Sequence, residues 1–262
     1  MENEETELKF EIESSRKSTE PFNIKEFVNA NPNTRVLMIG KTGSGKTYFA
    51  THVLSTYNKY RKQHVLYIDP KNEFTRKKEL NIATDFLNPN GWIRRISELQ
   101  YSTPEGVKRE CLQWSNIAEY AAYLVFEMAR RHIQPLVPTI LYYEEIATYV
   151  GKMDILPRSM PKTMQCLQQG RALGISMFYS TQMVRQLNLS FLSQAEHVFV
   201  FGLLGGELRD LEKRLGIKRN SLEFSIPRMS ERQKGNKGDL FSFYHLEPFQ
   251  DEALYYPPIG SK

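Results

Sequence analysis

From about residue 33 onward, short apolar runs alternate with longer amphipathic segments. "RVLMIG" (Arg35–Gly40), "HVLYID" (His64–Asp69), "TILYYEE" (Thr139–Glu145), "GISMFYSTQ" (Gly174–Gln182) and "EHVFVFG" (Glu196–Gly202) predict strands, being short and rich in β-branched and aromatic residues. Helix-like patterns cover Lys46–Lys62, Val107–Arg131, Lys162–Leu173 and Leu204–Leu215. In the second of these, Val107, Cys111, Trp114, Ala118, Ala121, Val125 and Met128 recur at alternating steps of four and three, the spacing of one apolar helix face. Strands alternating with helices predict an α/β fold: a mostly parallel sheet with helices on both faces. The near-continuous apolar strands agree, since such strands are buried on both sides.

The two ends depart from this pattern. Residues 1–22 are charged with few apolar anchors and predict a flexible acidic arm. After about Glu223, turn residues (Gly235, Asn236, Gly238) precede a strand-like "DLFSFYHL" (Asp239–Leu246) and a proline-rich end. Three segments are therefore expected: the arm at 1–22, a main domain at 23–222, and a C-terminal extension at 223–262 packed on it. With 40% hydrophobic and 25% charged residues the chain reads as an ordinary soluble protein. No apolar stretch approaches the ~18 residues of a spanning helix, so no transmembrane segment is expected. The acidic N-terminus argues against a secretory leader. Cys111 and Cys166 make neither a disulfide framework nor a metal motif, which points to a reduced, cytoplasmic setting. Residues 1–20 carry seven acids against three bases, net −4, leaving +9 on the rest of a chain whose total is +5. A basic body of this kind suits a polyanionic partner or simple solubility.

"GKTGSGKT" (Gly40, Lys41, Thr42, Gly43, Ser44, Gly45, Lys46, Thr47) changes the picture. It matches the GxxxxGK[ST] phosphate loop, with a strand running in and a helix leaving, as the mechanism requires. Glycines let backbone N–H groups close around phosphate oxygens, and a helix N-terminus adds its positive dipole end. Lys46 would reach the β- and γ-phosphates and Thr47 would ligate Mg²⁺, so a nucleoside triphosphate is the expected ligand. "ILYYEE" then places Glu144 and Glu145 at the end of a strand. Buried adjacent carboxylates need compensation; Glu144 is expected to hold the metal, where Asp is usual, and Glu145 to act as general base. That second acid points to hydrolysis. Gln182, at a further strand tip beside Thr181, could sense the γ-phosphate. Arg171 could assist its own site or serve a neighbour's as an arginine finger.

Taken in order, "GKTGSGKT", "IDPKNEF" (Ile68–Phe74), "ILYYEE" and "QGRALGISMFYSTQ" resemble the motifs of the FtsK/HerA superfamily of DNA-pumping ATPases, over roughly residues 33–216. The resemblance implies a RecA-like P-loop fold, ATP as the nucleotide, Arg171 as a finger acting in trans and Gln182 as sensor. It also brings forward Asp69 and Lys71, from an acid-Pro-Lys turn that recurs in the superfamily, without settling their role. A bare motor of this size is most similar to the genome-packaging ATPases of tailless, membrane-containing icosahedral viruses. That likeness implies double-stranded DNA as substrate, capsid or portal vertex proteins as partners, and the host cytoplasm and packaging vertex as location. A finger in trans implies a homo-oligomeric ring, pentamer or hexamer.

A pump must grip phosphates without reading bases. The loop "VGKMDILPRSMPK" (Val150–Lys162), directly after the acidic strand, offers Lys152, Arg158 and Lys162; "RQKGNKG" (Arg232–Gly238) adds Lys234 and Lys237. Further bases cluster at Arg76–Lys78, Arg94–Arg95, Arg130–Arg131 and Lys218–Arg219. The alternatives are a cellular or plasmid-borne DNA translocase of the same superfamily, and a protein-secretion or phage-assembly ATPase.

Overall fold

The computed structural model describes residues 14–69, 71–82, 84–103, 106–110, 114–131, 138–149, 161–203, 205–219, 221–222, 241–247, 250 and 252–259. Among them the strands are β1 (Ser14–Lys17), β2 (Arg35–Ile39), β3 (His64–Ile68), β4 (Lys78–Glu79), β5 (Ile93–Ile96), β6 (Leu99–Thr103), β7 (Gly106–Glu110), β8 (Thr139–Tyr143), β9 (Ile175–Thr181), β10 (His197–Val200), β11 (Phe243–Leu246) and β12 (Glu252–Tyr256). The helices are α1 (Ile24–Ala30), α2 (Lys46–Arg61), α3 (Trp114–Arg130), α4 (Ile146–Tyr149), α5 (Pro161–Gln169), α6 (Leu189–Ser193) and α7 (Gly205–Leu215). Ten of the strands make a mostly parallel sheet, the expected α/β arrangement, and β6 and β7 form a separate antiparallel hairpin. The edge strands are short and polar, "SSRK" in β1 and "KE" in β4, which discourages pairing with another chain.

The chain divides into two compact units, one of residues 1–22, 36–49 and 181–262, the other of 23–35 and 50–180. In the first, the strand order is β1-β12-β11-β10-β2. β10 runs parallel to β2, whereas β11 is antiparallel to both β10 and β12. β1 pairs in parallel with β12, Ser14 opposite Glu252. Both of the end segments contribute to this unit. The segment 1–22 ends in ordered structure: beyond β1, the Phe22 ring lies 5.2–5.7 Å from the rings of Phe49, Phe199, Phe243, His245 and Tyr256. And β11 and β12, drawn from the C-terminal extension, are strands of the sheet itself.

In the second unit the order is β9-β8-β3-β5-β4, all parallel. Every residue of β3, β8 and β9 is buried, as parallel strands covered on both faces require. Asn23 caps α1, its side chain accepting from the Glu26 amide at 3.1 Å, a pairing of Asn and Glu at capping-box spacing. The helix expected over Val107–Arg131 is shorter: α3 begins at Trp114, and Val107 lies in β7. The β6–β7 register sets Thr103 opposite Gly106, so "LQYST" and "GVKRE" pair with each other before the helix starts.

Candidate active site

The first unit contains the phosphate loop. β2 leads directly into it and α2 begins inside it at Lys46. Two strand-tip carbonyls anchor its entry: the Gly40 amide donates to Thr181 O at 3.1 Å and the Lys41 amide to Gly202 O at 2.9 Å. The buried Lys46 ammonium folds back on the loop, donating to Gly40 O at 2.7 Å and Lys41 O at 3.2 Å. A Cβ at Gly40 would sit 2.7 Å from both Phe201 Cβ and Ser44 Oγ. Gly45 has φ +99°, and a Cβ there would meet Phe241 Cδ1 at 2.7 Å. Only glycine fits these two positions. Among the described residues the buried Ser44 hydroxyl has no hydrogen-bond partner, a group that a phosphate oxygen would satisfy. A loop anchored on two strand-tip carbonyls, with a buried ammonium and a buried hydroxyl, fits the phosphates of a nucleotide.

Gln182 joins this loop. The Thr42 hydroxyl donates to Gln182 Oε1 at 2.5 Å, and the turn after β9 is fixed by the Met183 amide donating to Thr181 Oγ1 at 3.1 Å. A residue expected at a strand tip is thus held against the loop's own side chain.

The second unit contains the acidic pair, and both carboxylates are buried, at 7% exposure for Glu144 and 6% for Glu145. Tyr142 and Glu144 are two residues apart, so the strand period sends them to one face, and the Tyr142 hydroxyl donates to Glu144 Oε2. Burial, then the charge of Glu144, pushes the Tyr142 phenol well above its ordinary pKa, so it remains a donor. Glu145 has φ +56°, a left-handed backbone that costs a non-glycine residue about 1–3 kcal/mol and concentrates at functional sites. Its amide donates to Ser180 Oγ at 3.2 Å, and its carbonyl accepts from the Thr148 amide at 2.9 Å and hydroxyl at 2.8 Å. The sharp turn ends the strand and starts α4. Tyr142, not among the residues expected from the sequence, is marked by the two-residue strand period before Glu144; Ser180, supplied by a neighbouring strand, carries no local signal.

Asp69 has a structural task. Its Oδ1 accepts from the Glu73 amide at 2.7 Å and its Oδ2 from the Phe74 amide at 2.9 Å, while Arg95 approaches Oδ2 at 3.2 Å. It closes the acid-Pro-Lys turn; Lys71, on that turn, is half-buried. Arg171 is exposed on the single turn Gly170–Leu173 that precedes β9. Lys152, Arg158, Lys234 and Lys237 lie outside the described residues. Lys162 sits at the start of α5, its ammonium 2.9 Å from Glu127 and 4.9 Å from the Phe126 ring centroid, so it joins α3 to α5. Two of the basic pairs are similarly engaged. Arg94 forks onto Asp85 with two 2.8 Å bonds, Arg95 also pairs with Glu79 at 2.9 Å, and Arg130 and Arg131 share Glu127. Hydrogen bonds from Arg130, then Lys162, hold the Glu127 carboxyl down to about 2.

No protein-family model matches the chain, and no curated protein matches it by sequence. Solved structures do. The genome packaging NTPase B204 from Sulfolobus turreted icosahedral virus 2, in complex with AMPPCP, superposes with a TM-score of 0.61 at 17% identity, covering 88% of this chain and 100% of that one. The conjugation coupling protein TcpA of pCW3, bound to ATPγS, gives 0.54 at 14% identity over 88% of this chain and 62% of that one. The cytoplasmic domain of the Thermomonospora curvata type VII secretion ATPase EccC gives 0.52 at 13% identity, over 86% and 25%. At these identities the likeness is one of fold, and the fold is the α/β fold that these P-loop ATPases share.

Proposed function

We propose that this chain is an ATP-hydrolysing double-stranded DNA translocase that packages a viral genome, working as a homo-oligomeric ring. The observation that carries the reading is the end-to-end fold likeness to a genome packaging NTPase, 88% of this chain against 100% of that one. In this reading Lys46 and the loop amides hold the phosphates, and Thr47 and Glu144 hold Mg²⁺, which supplies charge neutralisation at the β- and γ-phosphates. Glu145 takes the proton of the attacking water, and Gln182 positions that water. Arg171, exposed, completes a neighbour's site. Pumping would proceed in the host cytoplasm at the packaging vertex, against capsid or portal proteins. Among the described residues no helix is long and apolar enough to cross a membrane.

The test is ATP turnover by the assembled protein with and without long double-stranded DNA, over a salt series. DNA should stimulate turnover, and the stimulation should fade steeply with salt as phosphate contacts are lost. Glu145→Gln and Arg171→Ala should each abolish turnover while keeping nucleotide binding. Mixing the two variants should restore part of it, because a finger acting in trans lets one intact Glu145 meet one intact Arg171. Turnover indifferent to DNA would overturn the reading in favour of protein export, the task of EccC. No recovery on mixing would place Arg171 in its own site.

A further inference from the structure

About 13 Å along the strands from the phosphate loop, three ligand-bearing side chains converge on one point of the first unit. β10 and β11 are antiparallel neighbours with Val198 opposite Leu246 and Phe199 opposite His245. Continuing that register by one residue sets His197 opposite Glu247. The two-residue period puts His245 and Glu247 on one face of their strand, and the register brings His197 to the same face. The contacts follow: His197 Nδ1 lies 3.2 Å from His245 Nε2 and 3.3 Å from Glu247 Oε1, and His245 Nε2 lies 3.6 Å from that same oxygen.

Two imidazole nitrogens and a carboxylate oxygen are three lone-pair atoms at the corners of one small triangle. A proton bridges a single pair of them at a time, whereas a cation at the centre engages all three. The side lengths discriminate among cations. Ligands about 2.0–2.1 Å from a tetrahedral Zn²⁺ lie about 3.3–3.4 Å apart, and 3.2, 3.3 and 3.6 Å bracket that value. Adjacent ligands of an octahedral Mg²⁺ would be closer, about 2.9 Å apart. The donor set also suits zinc, with imidazole preferred and one carboxylate. The rings are held ready: His245 stacks on Phe199 with centroids 4.5 Å apart and planes 5° from parallel, and Phe22 meets its edge at 5.7 Å. Both histidines are buried, and the Glu247 side chain is 33% exposed, which leaves a way in for an ion and for water as a fourth ligand.

We infer that His197, His245 and Glu247 form a binding site for a tetrahedral divalent cation of the zinc class. It is separate from the nucleotide. His197 pairs with Val36 at the start of β2, and the phosphate loop begins four residues on, about 13 Å away along the strand. Occupied, the site fastens β11 to β10 and so clamps the C-terminal strands onto the strand beside the phosphate loop.

The experiment uses the full-length protein, stripped with chelator and free of nucleotide, titrated with Co²⁺ alone and with Zn²⁺ alone. The expected result is one Co²⁺ per chain with the intense visible absorption of a tetrahedral ion, displaced by Zn²⁺, and a higher Tm in Zn²⁺ than in chelator. Glu247→Gln keeps the ring stacking and should weaken Zn²⁺ binding by more than about tenfold; His245→Gln should remove the absorption. Folding of each variant is checked by circular dichroism. A folded wild type that takes up no Co²⁺ overturns the inference, as does uptake unchanged in Glu247→Gln. Either result would leave a hydrogen-bonded cluster.

Discussion

Thr42 and Gln182 are 140 positions apart in the chain, yet a hydroxyl of the phosphate loop donates to the amide of a strand tip. If that amide positions the attacking water, Gln182→Ala should lower kcat about 10²-fold, the usual scale for losing one positioned polar group, and change nucleotide affinity little. Steady-state kinetics with a nucleotide titration decide it: a rise in KM with kcat intact would make Gln182 a binding residue only. A second prediction concerns His64, whose ring stacks on Trp92 at 4.3 Å and whose Nδ1 accepts from the Trp92 amide at 3.3 Å. Burial lowers its pKa to about 4, with Asp85 pulling upward and Arg94 downward. The unfolded chain therefore binds the extra proton between about pH 6.5 and 4, so stability is complete above that window and falls as pH drops through it. The loss should be on the order of 2 kcal/mol after allowing for solvent screening. Urea midpoints across the window should fall less in His64→Phe than in wild type; parallel slopes would refute the assignment.

Elements were legible where their signal is local. The phosphate loop could be read because backbone geometry demands glycine at Gly40 and Gly45 whatever surrounds them, and β3, β8 and β9 because full burial leaves continuous apolar runs. The segment from Val107 failed for the opposite reason. Its four-and-three spacing runs unbroken into α3, but "LQYST" and "GVKRE" pair with each other, and strand pairing overrides periodicity. Asp69 shows the same limit at one residue: the sequence motif marks it, but only the fold shows its carboxylate closing a turn on two amides and Arg95. Asp69→Ala would leave the buried Phe74 amide and two part-buried donors without their acceptor, so it should cost about 1–3 kcal/mol. The turnover of the surviving folded protein at low temperature should stay near wild type. A stable variant with lost turnover would instead give Asp69 a catalytic part.

At the scale of the molecule, the C-terminal strands decide whether a trimmed version can work. Ending the chain after Leu222 would remove β11 and β12, expose the long side of β10 and leave β1 without its partner. Phe241, which covers Gly45, would go as well. Such a truncation should aggregate and fail to bind nucleotide, measured by size-exclusion chromatography and binding of a fluorescent ATP analogue. A soluble, nucleotide-binding fragment would show that residues 223–262 are dispensable to the sheet.

The pairing of Ser14 with Glu252 has a bearing on how the protein is made. β1 leaves the ribosome well before its partner, and that edge can close only once the chain has been synthesised through β12. The second unit, contained within residues 23–180, can be assembled during translation; the nucleotide-binding unit, by this topology, is completed only after it. Because such distant pairings form slowly, a nascent or prematurely terminated chain would be silent towards ATP, and only finished subunits would be able to burn fuel.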